Sequence, residues 1–114
     1  MLLEVLTMKV LLPVALVAAL CGLLHAGTAT ASPQIALKAG CVGCHMADRK
    51  LVGPSYKEIA VKYKGRADAI AYLSQRVRKG GPGNWGVIPM APNDVSKLSD
   101  ADLKAVLTWI LQTP

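Results

Sequence analysis

Cys41-Val42-Gly43-Cys44-His45 constrains this chain more than any other stretch. Two thiols three positions apart, followed at once by an imidazole, form the covalent attachment signature of a c-type haem. The thiols add to the two vinyl groups on one edge of the porphyrin. The short turn between them carries the next side chain, His45, beneath the iron, where it can act as an axial ligand. The expected cofactor is one haem c, bound through Cys41 and Cys44, and with it come a metal, an axial ligand and an export route.

Three other chemistries use a Cys-x-x-Cys pair. Structural zinc takes a full tetrahedron of protein ligands. Beyond residue 31 the chain offers only Cys41, Cys44 and His45 as soft ligands, with no second Cys/His pair to complete that shell. A thioredoxin-type pair sits at a strand-to-helix junction of a βαβ unit, and no such pattern occurs here. A disulfide across so short a loop would constrain little.

Residues 1–31 read as a secretory leader. Lys9 supplies a small positive region, Val10 to Leu24 is an apolar run broken only by Pro13, and Ala29-Thr30-Ala31 is a small-x-small cleavage site before Ser32. Met8 is an alternative start, since Met8-Lys9 leads straight into the apolar run. The run is too short and too broken for a comfortable transmembrane helix, so no permanent membrane anchor is expected. Cys21 follows the bulky Leu20 where a lipobox wants a small residue, and it reads as an ordinary leader position. Cleavage after Ala31 leaves residues 32–114 as a single small domain, exported to the periplasm. A chain of this size buries a thin core and needs a staple. A flat apolar ring held by two covalent bonds would provide one.

The formal net charge is +6. Lys9 and Glu4 cancel within the leader, so the excess belongs to the domain. Lys57, Lys62, Lys64 and Arg66 crowd one segment, and Arg76, Arg78 and Lys79 another. Export and the lack of any nucleic-acid motif argue against nucleic acid as a partner. Two readings remain: electrostatic steering toward an acidic protein surface, or a solvated, solubilising surface.

Helical periodicity dominates the domain. Residues 35–40 form a short helical lead into the haem motif, and Gly40 leaves room for another helix to pack close. Ser55 caps a helix in which Tyr56, Ile59, Ala60 and Tyr63 share a face, and Gly65 ends it. Residues 67–79 form a second helix with Ile70, Leu73 and Val77 on one face. Ser99 and Asp102 open a third with a capping-box-like pair, and Leu103, Val106, Leu107 and Ile110 make its apolar stripe. No segment shows persuasive strand alternation, and there are no internal repeats. Residues 80–93 read as a long Gly/Pro-rich loop, and loops of that length in small domains tend to be functional.

The second axial position could be open, as in a gas sensor or peroxidase, or filled, as in an electron carrier. Met46 neighbours His45 and cannot reach the opposite face. Met90 lies in the long loop between Pro89 and Pro92, which restrict the backbone on both sides and suit the presentation of a weak thioether ligand. Core filler is its other reading. Trp85 can pack on the haem edge and donate its N–H to a propionate, or simply anchor the loop. Asn93 can hydrogen-bond the ligand sulfur. Arg76 can reach a propionate with its stem buried, or stand as a solvated helix charge.

These residues together resemble the small bacterial class I cytochromes c, in particular the short periplasmic carriers of the cytochrome c-551/c-552 type. The resemblance spans the region after the leader. It is carried by residues 40–45, by Val52-Gly53-Pro54-Ser55-Tyr56-Lys57, by Gln75-Arg76-Val77-Arg78-Lys79-Gly80, and by Trp85-Gly86-Val87-Ile88-Pro89-Met90-Ala91-Pro92-Asn93. It implies an all-α fold of about four short helices around one haem c, with the N- and C-terminal helices crossing near Gly40. It implies His45/Met90 ligation of a low-spin iron, with the Pro54 carbonyl accepting the outer ring N–H of His45. It places Arg76 and Trp85 at propionate-contacting positions and Asn93 near the methionine. Ala91 stands where such proteins often have a proline, which implies a less stiff ligand segment.

The expected function is one-electron transfer by a soluble monomer between respiratory complexes and a terminal reductase or oxidase, a nitrite reductase being one such acceptor. No catalytic acid, base or nucleophile is evident, so the expectation is an electron carrier rather than an enzyme. The rival is a haem enzyme or ligand sensor with an open distal position.

Overall fold

The computed structural model describes residues 32–114. The leader, the alternative start at Met8 and the cleavage site at Ala31 lie outside the described residues. Within them, four α-helices run in the order α1 (Pro33–Lys38), α2 (Tyr56–Tyr63), α3 (Ala69–Lys79) and α4 (Asp100–Leu111). A single 3-10 turn, Cys41–Gly43, follows α1. Between α3 and α4 comes a hairpin of β1 (Gly81–Gly83) and β2 (Gly86–Met90). Among the described residues no helix is long and apolar enough to cross a membrane.

Local chemistry explains the helix boundaries. Pro33 begins α1, where its missing N–H costs nothing. Ser55 caps α2 with a full capping box: its hydroxyl accepts the Glu58 N–H, and the Glu58 carboxylate accepts the Ser55 N–H at 2.7 Å. α3 starts two residues later than the periodicity suggests. The Asp68 carboxylate is held by Arg66 through two N–H···O contacts, so it does not cap the helix, and residues 67–68 remain a turn. At α4 the Ser99 hydroxyl accepts the Asp102 N–H at 3.1 Å, the Ser99 half of the expected box.

The expected faces are the buried ones. Tyr56, Ile59, Ala60 and Tyr63 of α2 and Leu103, Val106, Leu107 and Ile110 of α4 all lie in the core. Leu73 joins them from α3, with Ile70 and Val77 packed against the cluster. α4 is the hub, packing on each of α1, α2 and α3.

Two expectations are corrected. α1 packs on α4, but its buried core residue is Ala36, 0% exposed, and nothing packs close on Gly40. A Cβ at Gly40 would meet nothing within 4 Å; the glycine serves a left-handed turn (φ 79°) out of α1 into the Cys41 turn. Residues 80–93 are not wholly irregular either. β1 and β2 pair antiparallel, with Gly81 opposite Met90 and Gly83 opposite Gly86 and an irregularity between them. Gly-Pro-Gly has no alternation of apolar and polar side chains, and four of the five β2 residues are exposed. The pairing rests on backbone groups, which leave no trace in hydropathy.

Candidate haem site

One face of the core opens into a cavity of about 460 Å³, within the range of cofactor and ligand pockets of ~300–1,000 Å³. Cys41, Cys44 and His45 line it, and so do Ile88, Pro89 and Met90. The core residues Leu73, Leu98, Leu103, Val106 and Ile110 contribute to its walls. Pro54, Arg76 and Trp85 also line it. Asn93 does not.

The attachment motif is shaped by its own backbone. The Cys41 carbonyl accepts the N–H groups of Cys44 and His45 at 3.1 and 2.9 Å, closing the turn that turns His45 inward. Cys41 is half-buried and Cys44 exposed. Burial pushes the Cys41 thiol above its ordinary pKa.

His45 is oriented from the following loop. Its Nδ1 lies 2.7 Å from the Pro54 carbonyl oxygen. An N–H on Nδ1 donates to that oxygen, so the lone pair resides on Nε2, the state an imidazole needs to bind a metal. The loop can come this near because residue 53 lacks a side chain. A Cβ at Gly53 would stand 2.6 Å from His45 Cε1 and 3.0 Å from Nδ1. The loop is pinned by Gly53 N–H to the Cys44 carbonyl (2.9 Å) and Tyr56 N–H to the Met46 carbonyl (2.8 Å). Tyr56 then lies beneath the imidazole, ring centroids 6.1 Å apart at 20°, and meets Trp109 edge-on at 5.3 Å.

Met90 is the last residue of β2. Gly80, at the end of α3, abuts it: a Cβ there would strike the Met90 carbonyl and stand 2.8 Å from Pro92 N. Three residues on, the Asn93 N–H donates to the Val77 carbonyl at 2.9 Å. The Asn93 Oδ1 is buried with no hydrogen-bond partner. Rotating that amide would put its NH₂ in the same buried place.

Arg76 stands on the cavity wall and donates to the Pro82 carbonyl at 2.9 Å, bracing β1. Its remaining N–H donors are available to an anionic group. Trp85, 39% exposed, lines the cavity with Lys62 Nζ 4.2 Å from its ring centroid. Lys62 also donates to the Asn84 carbonyl at 2.8 Å, and the Asn84 side chain bridges the hydroxyls of Tyr63 and Tyr72 at 3.2 and 2.6 Å.

Sequence reasoning missed several contributors. Gly53 enters the resemblance only as one residue of the 52–57 stretch, which carries no signal for an imidazole seat. Tyr56 falls on the apolar face of its helix, and periodicity assigns it no part in the site. Lys62 and Asn84 carried no signal that joins them to Trp85, since α2 and the hairpin meet only in the folded chain.

The residues fit a haem. The donor set is two thiols and an imidazole with a free Nε2, with a thioether on the same cavity. The walls are apolar, with a guanidinium among them. Tyr56 lines this region, its hydroxyl is buried without a partner, and burial pushes its pKa up to about 12. Among the described residues no three His, Cys, Asp or Glu side chains cluster to hold a bare metal ion.

The sequence profile of the family "Cytochrome c" matches residues 29–114. The chain belongs to the cytochrome c family. It is 54% identical over 81 residues to cytochrome c2 of Rubrivivax gelatinosus, covering 71% of this chain and 95% of that one. It is 45% identical over 86 residues to cytochrome c-552 of Hydrogenobacter thermophilus, covering 75% and 85%. The crystal structure of Nitrosomonas europaea cytochrome c552 superposes with a TM-score of 0.65 at 44% identity, over 71% of this chain and 98% of that one. This cytochrome c is thus an electron carrier of the small bacterial class I type, with the helical fold expected of it, and binds one haem c through Cys41 and Cys44.

Proposed function

We propose that the protein is a periplasmic one-electron carrier whose iron is ligated by His45 Nε2 and the Met90 sulfur. The observation that carries this reading is the 2.7 Å contact between His45 Nδ1 and the Pro54 carbonyl, made on a cavity that Met90 also lines. Haem c supplies the redox chemistry, storing one electron as its iron alternates between ferric and ferrous states. The chain's residues hold that state change in a constant frame. The Pro54 carbonyl fixes the imidazole tautomer, Gly53 lets the loop approach it, and the strapped Met90 segment keeps the thioether in place. A thioether ligand and apolar walls both favour the reduced state. Arg76 and Trp85 are the candidate propionate contacts. Asn93 is the candidate donor to the Met90 sulfur, through its amide NH₂ after the rotation described above.

The rival reading, an open distal position, gives the doubly held Met90 segment no task. A spectrum separates the two. The oxidised protein should show a sulfur-to-iron charge-transfer band in the far red and take up cyanide slowly, and Met90→Ala should abolish the band and speed uptake. Coordination unchanged in Met90→Ala would overturn the assignment.

Residues 1–31 act in this reading as a leader removed after Ala31. The partners are redox proteins with acidic docking surfaces, an upstream respiratory donor and a nitrite reductase or terminal oxidase, met by a monomer with no permanent membrane anchor. The net charge of +6 supports such steering. Reoxidation of the reduced protein by its acceptor should slow markedly as salt rises, because the screening length shrinks to ~8 Å at physiological ionic strength. A rate indifferent to salt would leave the charge as a solubilising surface only.

A further inference from the structure

We infer that Arg78 is a positioning residue for the far-side iron ligand: its guanidinium holds the Asn93 carbonyl, and through it the segment that presents Met90. The inference rests on the reading of Met90 as ligand.

Arg78 is the penultimate residue of α3 and is tied on two sides. Nη1 donates to the Asn93 carbonyl at 3.0 Å, and Nη2 to Asp100 Oδ1, at the start of α4, at 2.7 Å. Its side chain is 21% exposed, against 85% for Asp100. An exposed ion pair contributes little by itself. Its consequence here is geometric. With Nη2 on the carboxylate, the planar fork aims Nη1 at one carbonyl oxygen.

That oxygen closes the ligand segment. At the near end, Met90 pairs with Gly81 across the hairpin. At the far end, Asn93 gives its N–H to Val77 and receives Arg78 on its carbonyl. Among the described residues, Arg78 is the one side chain that hydrogen-bonds the backbone of residues 90–93 from outside the segment. Ala91 leaves that stretch less stiff than a second proline would, so the far-end clamp has more to do. The clamp also joins α3, the segment and α4, so the thioether's position is referred to two helices of the core.

A weak thioether ligand exists in equilibrium between bound and released forms. An added ligand enters through the released form, so its uptake rate reports that population. Loosening the segment raises the population without unfolding the domain.

The test compares cyanide uptake by oxidised wild-type, Arg78→Lys and Arg78→Met holoproteins, with Met90→Ala as reference. Arg66→Ala, on the surface pair with Asp68, serves as a control for altered stability. Arg78→Met should take up cyanide about tenfold faster than wild type, as expected when the released population rises tenfold. Its far-red band should be retained at rest. Arg78→Lys, which keeps the charge but replaces the rigid planar fork by a single flexible ammonium, should fall between, and Arg66→Ala should match wild type. If Met90→Ala speeds uptake while both Arg78 variants stay at the wild-type rate, the positioning role is overturned and the ligation stands. If Met90→Ala itself changes nothing, the ligation falls and takes the positioning role with it. If Arg78→Met fails to fold, Arg78→Lys alone decides, a wild-type rate again overturning the role.

Discussion

His45 shows how much of a metal site can depend on the absence of a side chain. Its imidazole is seated by the Pro54 carbonyl at 2.7 Å, and that seat exists because Gly53 lets the backbone pass within contact of the ring. Gly53→Ala should force the ring or the loop to move, since real Cβ atoms do not tolerate a 2.6 Å contact. Overpacking of this kind costs ~1–3 kcal/mol. Thermal unfolding of the holoprotein should show the loss. The reduction potential should shift as well, because the Pro54 hydrogen bond would lengthen and the imidazole would become a poorer donor. A variant with unchanged stability and potential would show that the loop has slack the contacts do not reveal. Gly80 makes the same use of hydrogen in place of a methyl group, against the Met90 carbonyl and Pro92.

At the scale of elements, the capping box of α2 stands directly after the loop that seats His45. Ser55→Ala removes the hydroxyl that accepts the Glu58 N–H and should cost ~1 kcal/mol, as cap deletions do. The same box ties stability to pH. The Ser55 backbone N–H, then its hydroxyl, hold the Glu58 carboxyl below its ordinary pKa. A carboxyl depressed in the folded state binds its proton more readily when unfolded. Its contribution is therefore complete above the unfolded value and is lost as pH falls through the folded one. Glu58→Gln should flatten the acid side of the stability curve and leave its shape near neutrality unchanged, as equilibrium unfolding across that range would record. An acid limb equally steep in the variant would place the titration elsewhere.

For the whole molecule, the cavity and the core share their residues. Leu73, Leu103, Val106, Leu107 and Ile110 belong to the buried cluster and also line the cavity. With nothing in the cavity, those walls lose their packing partners on one side, and a domain this small has little other core to compensate. Cys41→Ser/Cys44→Ser, which cannot attach a haem covalently, should therefore lose cooperative unfolding and most of its helical circular dichroism. A sharp native-like transition in that variant would mean that the four helices close on themselves.

The sequence alone determined the cofactor, because thioether chemistry demands two cysteines and an adjacent histidine in covalent succession, a purely local requirement. It determined the inward faces of α2 and α4 for the same kind of reason: helical periodicity is a relation between neighbours. Only the tertiary structure decided that Ala36 is the buried residue of α1, that residues 81–90 pair as a hairpin, and that Gly53 must be small. It also decided that Arg78 reaches Asn93, and that Lys62 covers Trp85. Each of these is a contact between residues more than one helical turn apart, and most are made by backbone atoms or by long flexible side chains. Neither leaves a mark in composition or periodicity, and neither exists until the helices have packed.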